Sequence, residues 1–261
     1  MFTTTGLTDP LEAELQGLIR TASDMSERSR QRLPGPSEIG DPCLRRLAHK
    51  ILDTPPVNLT IDPLPSTDGT AFHEWVRPAV LAHNTRAGRI RFIAEQRVEV
   101  RPGLTGTLDV YDSDTYTVID WKRPGAKPLR EYRDNGPGPQ YRGQVHLYGL
   151  GLTRLGFRVD RVAIAFLPRG GLLSGLYLWA EDYDPARAAA ALQRYDNLLC
   201  AINDLQLERN PQHWPLIPAT PTHCAWCAWW QPNTTDLALG CPGESGADTR
   251  PEPNTNPTQQ R

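Results

Sequence analysis

Between residues 91 and 122 three strand-like runs follow one another, the first alternating apolar and polar side chains with a period of two, and this constrains the fold more than any other feature. Strands are predicted over 91–100, 104–111 and 116–122, parted by the turn signals Pro102-Gly103 and Asp112-Ser113-Asp114. Runs this closely spaced form an antiparallel meander, which needs helices or a second sheet to cover its apolar face. Helical periodicity supplies the cover. Helices are predicted over about 140–155 and over 184–207, the second with Pro185 at its first position. Two further strands, 161–167 and 175–180, lie between them, split by Gly170-Gly171.

Upstream, 11–32 is read as a helix with apolar positions at Leu11, Leu15, Leu18 and Ile19. Asp41-Pro42 opens a second, over 43–52, and a third spans about 69–84, with Pro78 expected to kink it. A proline-rich loop, 55–65, separates the last two, and 124–139 is read as a flexible stretch. The fold class predicted is α/β, a central mixed sheet flanked by helices. Residues 1–40 form a helical extension, 41–242 the main domain, and 243–261 a polar tail expected to be disordered.

At 261 residues the chain suffices for one sizeable core. No apolar run approaches bilayer length, and Met1-Phe2-Thr3-Thr4-Thr5 lacks the basic flank and apolar stretch of a secretory signal. A cytoplasmic protein is expected, in a bacterial or phage-infected host cell. In that reducing setting five cysteines ask for a metal rather than for disulfides. The formal charge of −2 means that any grip on nucleic acid is local. No G-x-x-x-x-G-K-[ST] is present, so the chain carries no motor of that type. Of 28 basic residues only Lys50, Lys122 and Lys127 are lysines, so a lysine beside acidic groups is conspicuous.

Such a lysine follows the second strand. Gly106-Thr107-Leu108-Asp109 precedes Asp120-Trp121-Lys122, and side chains two apart on a strand share a face. If the strands pair, Asp109 meets Asp120, and a divalent cation relieves the repulsion between the two carboxylates. Such a cation activates water and neutralises charge building on a phosphate. Alternatively Asp109 ends a strand and Asp120 with Lys122 is a solvated pair. Glu95, on the preceding strand, is an outer ligand or a solvent-facing residue.

Two more elements complete a pattern. Gly69-Thr70-Ala71-Phe72-His73 precedes the strands, and Gln144-Val145-His146-Leu147-Tyr148 puts Gln144 and Tyr148 on one helix face. With these residues the chain resembles the RecB-like branch of the PD-(D/E)XK nuclease superfamily, whose restriction-endonuclease-like core carries G-x-x-x-H, G-x-x-D, (D/E)-x-K and Q-x-x-x-Y in this order. The resemblance covers about residues 40–242. It implies a metal-dependent deoxyribonuclease that hydrolyses phosphodiesters of single-stranded or end-exposed DNA, an exonuclease. It also implies that His73, Asp109 and Asp120 ligate the metal, with the Trp121 carbonyl as fourth ligand. Lys122 would be catalytic, and Gln144 and Tyr148 would position DNA or the lysine. An imidazole ligand suits manganese, so activity is expected with Mn²⁺ as well as Mg²⁺.

Cys224-Ala225-Trp226-Cys227 has the two-residue gap that lets both thiolates reach one metal; Cys241 follows and Cys43 lies far upstream. One cysteine before the nuclease elements and three after them resembles the iron–sulfur exonucleases, the CRISPR-associated Cas-four proteins and AddB-type nuclease domains. The resemblance implies a [4Fe–4S] cluster on Cys43, Cys224, Cys227 and Cys241 that joins the N- and C-terminal segments, with [2Fe–2S] or zinc as alternatives. His213 and His223 are substitute ligands on the same reading, while Cys200, in an apolar helical stretch, is read as a buried thiol.

Arg123, Lys127, Arg130 and Arg142 near the suspected centre, and Arg45 and Arg46 beside Cys43, are candidate phosphate contacts. The partners implied are DNA, recombination or CRISPR adaptation proteins, and a second copy of the chain. Two other classes fit the same residues: a non-catalytic iron–sulfur DNA-binding adaptor, and a zinc-stabilised restriction-type endonuclease.

Overall fold

The computed structural model describes residues 10–26, 31–59, 61–221 and 223–243. A five-stranded sheet, ordered β1-β2-β3-β4-β5, forms its centre. Strands β1 (Phe92–Arg101), β2 (Leu104–Asp112) and β3 (Thr117–Lys122) make the predicted antiparallel meander. β4 (Arg161–Phe166) pairs parallel to β3, and β5 (Tyr177–Asp182) pairs antiparallel to β4. The sheet is therefore mixed, because only the β3-to-β4 connection crosses over through helix.

Helices α1 (Pro10–Asp24), α2 (Pro36–Ile39), α3 (Leu44–Ile51) and α4 (Leu64–Ala87) precede the sheet. α5 (Ala126–Asn135) and α6 (Pro139–Arg154) form the crossover, and α7 (Pro185–Leu205) follows β5. α1 closes at Asp24, short of the predicted limit, and its apolar residues Leu11, Leu15, Leu18 and Ile19 are all exposed. Pro78 lies inside a continuous α4. The expectation for the tail beyond Gly243 falls outside the described residues. No helix among the described residues is long and apolar enough to cross a membrane.

The stretch 124–139, expected to be flexible, carries α5 instead. Its sequence has little apolar periodicity, and it is held by Leu129, which is buried, and by Tyr132, stacked on Phe166 at 4.6 Å. The second correction concerns Cys200, which is exposed. Leu198 and Ile202, four apart on α7, face the core, and a residue two positions on from Leu198 points to the opposite side.

Three apolar clusters hold these layers together. Val145, Tyr148 and Leu152 of α6 pack on Val98, Leu108, Val118, Val162 and Ile164 of the sheet. Each such side chain, fully buried, contributes about 1.5–3 kcal/mol. A second cluster joins α2 and α7 through Ile39, Leu147 and Tyr195. The third, described below, ties α3 to the C-terminal segment. Gly106 is required by close packing. A Cβ there would stand 2.9 Å from the Tyr148 ring and 3.0 Å from Pro36, so the strand approaches α6 and α2 only as glycine.

A candidate metal centre and a cysteine cavity

The centre lies where β1, β2 and β3 begin to part. In the β1–β2 register Ala94 pairs with Val110 and Gln96 with Leu108, which sets Glu95 opposite Asp109. The β2–β3 ladder runs from Asp112–Thr117 to Val110–Ile119, and one step further Asp109 faces Asp120. The side chain of Asp109 takes over where that ladder ends: the Trp121 N–H donates to its Oδ2 at 2.7 Å. Three carboxylates thus stand in a row on adjacent strands. Glu95 adopts φ +54°, a left-handed conformation uncommon for a strand glutamate and a feature that concentrates at functional sites.

Helix α4 brings the imidazole. The Asn84 side chain accepts from Arg91 N and Phe92 N, both at 3.1 Å, and donates to Phe92 O at 2.6 Å, so the end of α4 is fixed to the start of β1. Three turns back, His73 Nδ1 lies 3.1 Å from Asp109 Oδ1. Ligand atoms of His73, Glu95 and Asp109 all lie within 4.8 Å of one another; His73 and Glu95 are half-buried and Asp109 is buried. One nitrogen and two carboxylate oxygens at that spacing are a donor set for a divalent cation, which with three protein ligands would keep positions for water and a phosphate oxygen.

Asp120 and Lys122 adjoin this trio. Asp120 is almost fully buried; Gln144 Nε2 donates to its Oδ1 at 2.7 Å, and Lys122 Nζ lies 2.6 Å from its Oδ2. The Lys122 ammonium sits 4.9 Å from the centre of the Tyr141 ring, a contact the sequence did not indicate. Gln144 and Tyr148 are both buried, so their surroundings are protein: Gln144 holds Asp120, and Tyr148 packs against Gly106. Glu95 belongs to the tight trio more closely than its sequence context suggests, and Asp120 stands next to it, engaged by Gln144 and Lys122.

Burial and mutual repulsion set the protonation of these groups. Burial pushes the Asp120 carboxyl up to about 6, against the opposing charge of Lys122 and with the help of Asp109. Glu95 is also raised, by burial and then by the charge of Asp109. For His73 burial disfavours the imidazolium, yet the hydrogen bond and charge of Asp109 outweigh it and the pKa rises. Without a cation, protons relieve the crowding of like charge.

A stability prediction follows. Because the folded pKa of Asp120 lies above the unfolded value of about 3.9, the native state holds the extra proton between about pH 4 and 6. The stability this confers is complete below the unfolded pKa and is lost as pH rises through about 6. Denaturant midpoints of metal-stripped protein should therefore fall over that window relative to Asp120→Asn, and Mn²⁺ at pH 7 should raise the wild type more than the variant. Parallel curves for the two proteins would contradict the assignment.

The third cluster organises the second site. Leu47 and Ala48 of α3 pack with Leu198 and Ile202 of α7 and with Leu207, Trp214 and Ile217. Against this base, Cys43, Cys224, Cys227 and Cys241 line one cavity with Arg46, His49 and Trp230. Cys43 caps the start of α3, where Asp41 Oδ1 accepts from its N–H at 2.8 Å. Cys224 to Cys227 form a tight turn closed by a Cys227 N–H to Cys224 O bond of 2.9 Å. Cys241 is set by a bridge to Trp230. Asn58 secures the turn by donating to Ala225 O and Cys227 O. All five cysteines are free thiols, and burial pushes Cys227 up to about 11 as a neutral thiol. Among the described residues the trio at the first site is the group with ligand atoms all within 4.8 Å of one another; no three of the cysteine sulfurs meet that spacing. His213 turns away, its Nδ1 2.8 Å from Leu205 O.

Several arginines expected near DNA are engaged by protein. Arg45 donates to Ile217 O and lies 3.6 Å from Cys241 Sγ; Arg46 pairs with Asp41. Arg123 pairs with Asp68 and lies over Phe72, and Arg142 pairs with Glu181. Lys127 and Arg130, on α5, are exposed.

No family model and no curated protein matches the chain. Among solved structures, an alkaline exonuclease from Laribacter hongkongensis aligns with a TM-score of 0.47 and 15% identity, over 72% of this chain and 97% of that one. The same enzyme in complex with dAMP gives the same score and identity, over 72% and 96%. A phage-related exonuclease from Haemophilus somnus 129PT aligns with a TM-score of 0.37 and 15% identity, over 76% and 91%. At that degree of overlap the chemistry open to this chain has to be judged on its own side chains.

Proposed function

We propose that the chain is a metal-dependent DNA exonuclease with a PD-(D/E)XK-like core, and that its four clustered cysteines hold an iron–sulfur cluster. The observation that carries the first part is the convergence of His73, Glu95 and Asp109 within 4.8 Å, with Asp120 and Lys122 joined beside them. A divalent cation held there supplies charge neutralisation at a phosphate and activation of water.

The chain's own residues account for the rest. Asp109 holds two tasks, receiving the Trp121 N–H on one oxygen and facing His73 with the other. Gln144 fixes the Asp120 carboxylate, and Asp120 in turn fixes Lys122. The ammonium group, steadied over Tyr141, would stabilise negative charge on a phosphate held beside the trio and could serve as a proton-transfer group there. Lys127 and Arg130, exposed on α5, would contact the DNA backbone.

For the second part, the support is that one cysteine from α3 and three from the C-terminal segment line a single cavity. Thiolates on one zinc ion, each about 2.3 Å from it, stand roughly 4 Å apart. No three of the four sulfurs lie within 4.8 Å of one another here, which suits a polynuclear centre.

DNA topology tests the activity. With Mn²⁺ or Mg²⁺ the protein should digest linear single strands and spare covalently closed circular single strands. Cutting of the circle would indicate an endonuclease, and intact linear DNA would leave an adaptor role.

A further inference from the structure

Helix α3 carries a histidine that none of the preceding chemistry uses. His49 is 0% exposed and lines the cysteine cavity, and both its ring nitrogens lack a hydrogen-bond partner. Its ring stacks on Trp214, centroids 4.2 Å apart at 21°, and on Trp229 at 5.5 Å and 12°. Stacking engages the faces of the imidazole and leaves its edge, where both nitrogens lie, to find polar contacts.

The neighbouring polar groups show how unusual this is. Trp229 Nε1 donates to Thr54 O, Asn58 to two carbonyls of the cysteine turn, and Arg45 to Ile217 O. His146, equally buried, has both nitrogens engaged: Asp184 N donates to Nδ1, and Nε2 meets Glu181. Leaving a buried polar group unbonded costs about 1–3 kcal/mol. Burial, helped by the charge of Arg45, lowers His49 to about 4, so the ring is neutral and carries one N–H. The cavity that His49 lines, shared with four cysteines, is the place where a partner for that N–H can be held.

We propose that His49 donates its ring N–H to a sulfur of the iron–sulfur centre held by Cys43, Cys224, Cys227 and Cys241, and thereby raises the reduction potential of that centre. This rests on the cluster reading given above. The direction follows from charge: reduction makes the sulfurs more negative, so an N–H···S bond stabilises the reduced form more than the oxidised one. His49 is a positioning and tuning residue in this role and not a ligand.

The test uses the full chain, purified without oxygen and loaded with iron, as wild type, His49→Phe and His49→Gln. His49→Phe keeps the ring stack and loses the donor; His49→Gln keeps a donor. The expected result is a lower midpoint potential for His49→Phe at undiminished iron content, with His49→Gln returning towards wild type. An unchanged potential in His49→Phe overturns the proposal. If His49→Phe does not fold or sheds its iron, the reduced wild-type protein labelled with ¹⁵N-histidine decides by pulsed electron paramagnetic resonance. A weak ¹⁵N coupling, of a nitrogen bonded through hydrogen to sulfur, supports the proposal. No coupling overturns it, and so does the strong coupling of a nitrogen bonded to iron. An iron-free wild type sinks the cluster reading itself, whereas iron-loaded protein with an unmoved potential sinks only the part assigned to His49.

Discussion

Replacing Lys122 by methionine should slow digestion of linear single-stranded DNA by about a hundred- to a thousandfold, the usual cost of removing one preorganised electrostatic group. Methionine keeps most of the stem and its packing on Tyr141 while deleting the ammonium group. The loss should fall mainly on kcat, because the charge matters most when the phosphate is most negative. The variant also leaves Asp120 buried without its cationic partner. Stability should drop, by up to about 3–5 kcal/mol for a fully buried pair and less here, since Lys122 is partly exposed. Adding Asp120→Asn should recover stability without recovering activity. That separation distinguishes a catalytic lysine from a structural one. Retained Mn²⁺ binding by the single variant would show that His73, Glu95 and Asp109 are still assembled. A Lys122→Met protein with rates within tenfold of wild type would remove the lysine from the mechanism. Lys122→Arg should not rescue, because a planar guanidinium cannot occupy the point position of an ammonium next to Asp120.

The second large effect is expected at the cysteine cavity. Cys227→Ala should abolish iron binding and the visible absorption that accompanies it. Cys43 and Cys224 are more than 150 residues apart, and a cross-link closing a loop longer than a hundred residues removes about 4–5 kcal/mol of chain entropy from the unfolded state. At about 2–4 °C per kcal/mol for a domain of this size, the melting temperature should fall by roughly 8–20 °C. Limited proteolysis should then cut the segment after Pro211, which is held to α3 and α7 by Trp214 and Ile217. An Ala variant with unchanged melting temperature and iron content would show that the cavity holds no metal. Cys200→Ala serves as the control: that thiol is exposed on α7 and should be silent in both measurements.

The outline of the fold was readable in the sequence because its strands are short apolar-rich runs parted by turn residues. β1 to β5 lie close to the predicted ranges, and the Asp109 and Asp120 positions follow from the strand register. α5 was not readable, since Ala126–Asn135 contains a proline and one buried apolar residue; its stability comes from Tyr132 and Leu129 meeting the sheet. In the sequence Glu95 fits an outer ligand and a solvent-facing strand glutamate equally well. Its membership of the trio depends on which residue of β2 lies opposite and on its left-handed backbone, and neither is encoded within its own neighbourhood. His49, between Ala48 and Lys50, reads as an ordinary basic residue of an amphipathic helix, and only the arrival of Trp214 and Trp229 from far along the chain buries it.

Local chemistry therefore determined what each segment is: period-two runs make strands, Asp-x-Lys puts two groups on one face, and Cys-x-x-Cys closes a turn. Tertiary structure decided what meets what. The Asp109–His73 and Lys122–Tyr141 contacts, and the cavity that Cys43 shares with the distant cysteines, join segments whose spacing in the chain carries no information about their distance in space. The physical reason is that burial is a collective property. A side chain's charge, its partners and its protonation depend on which surfaces pack over it, and those surfaces come from the whole chain.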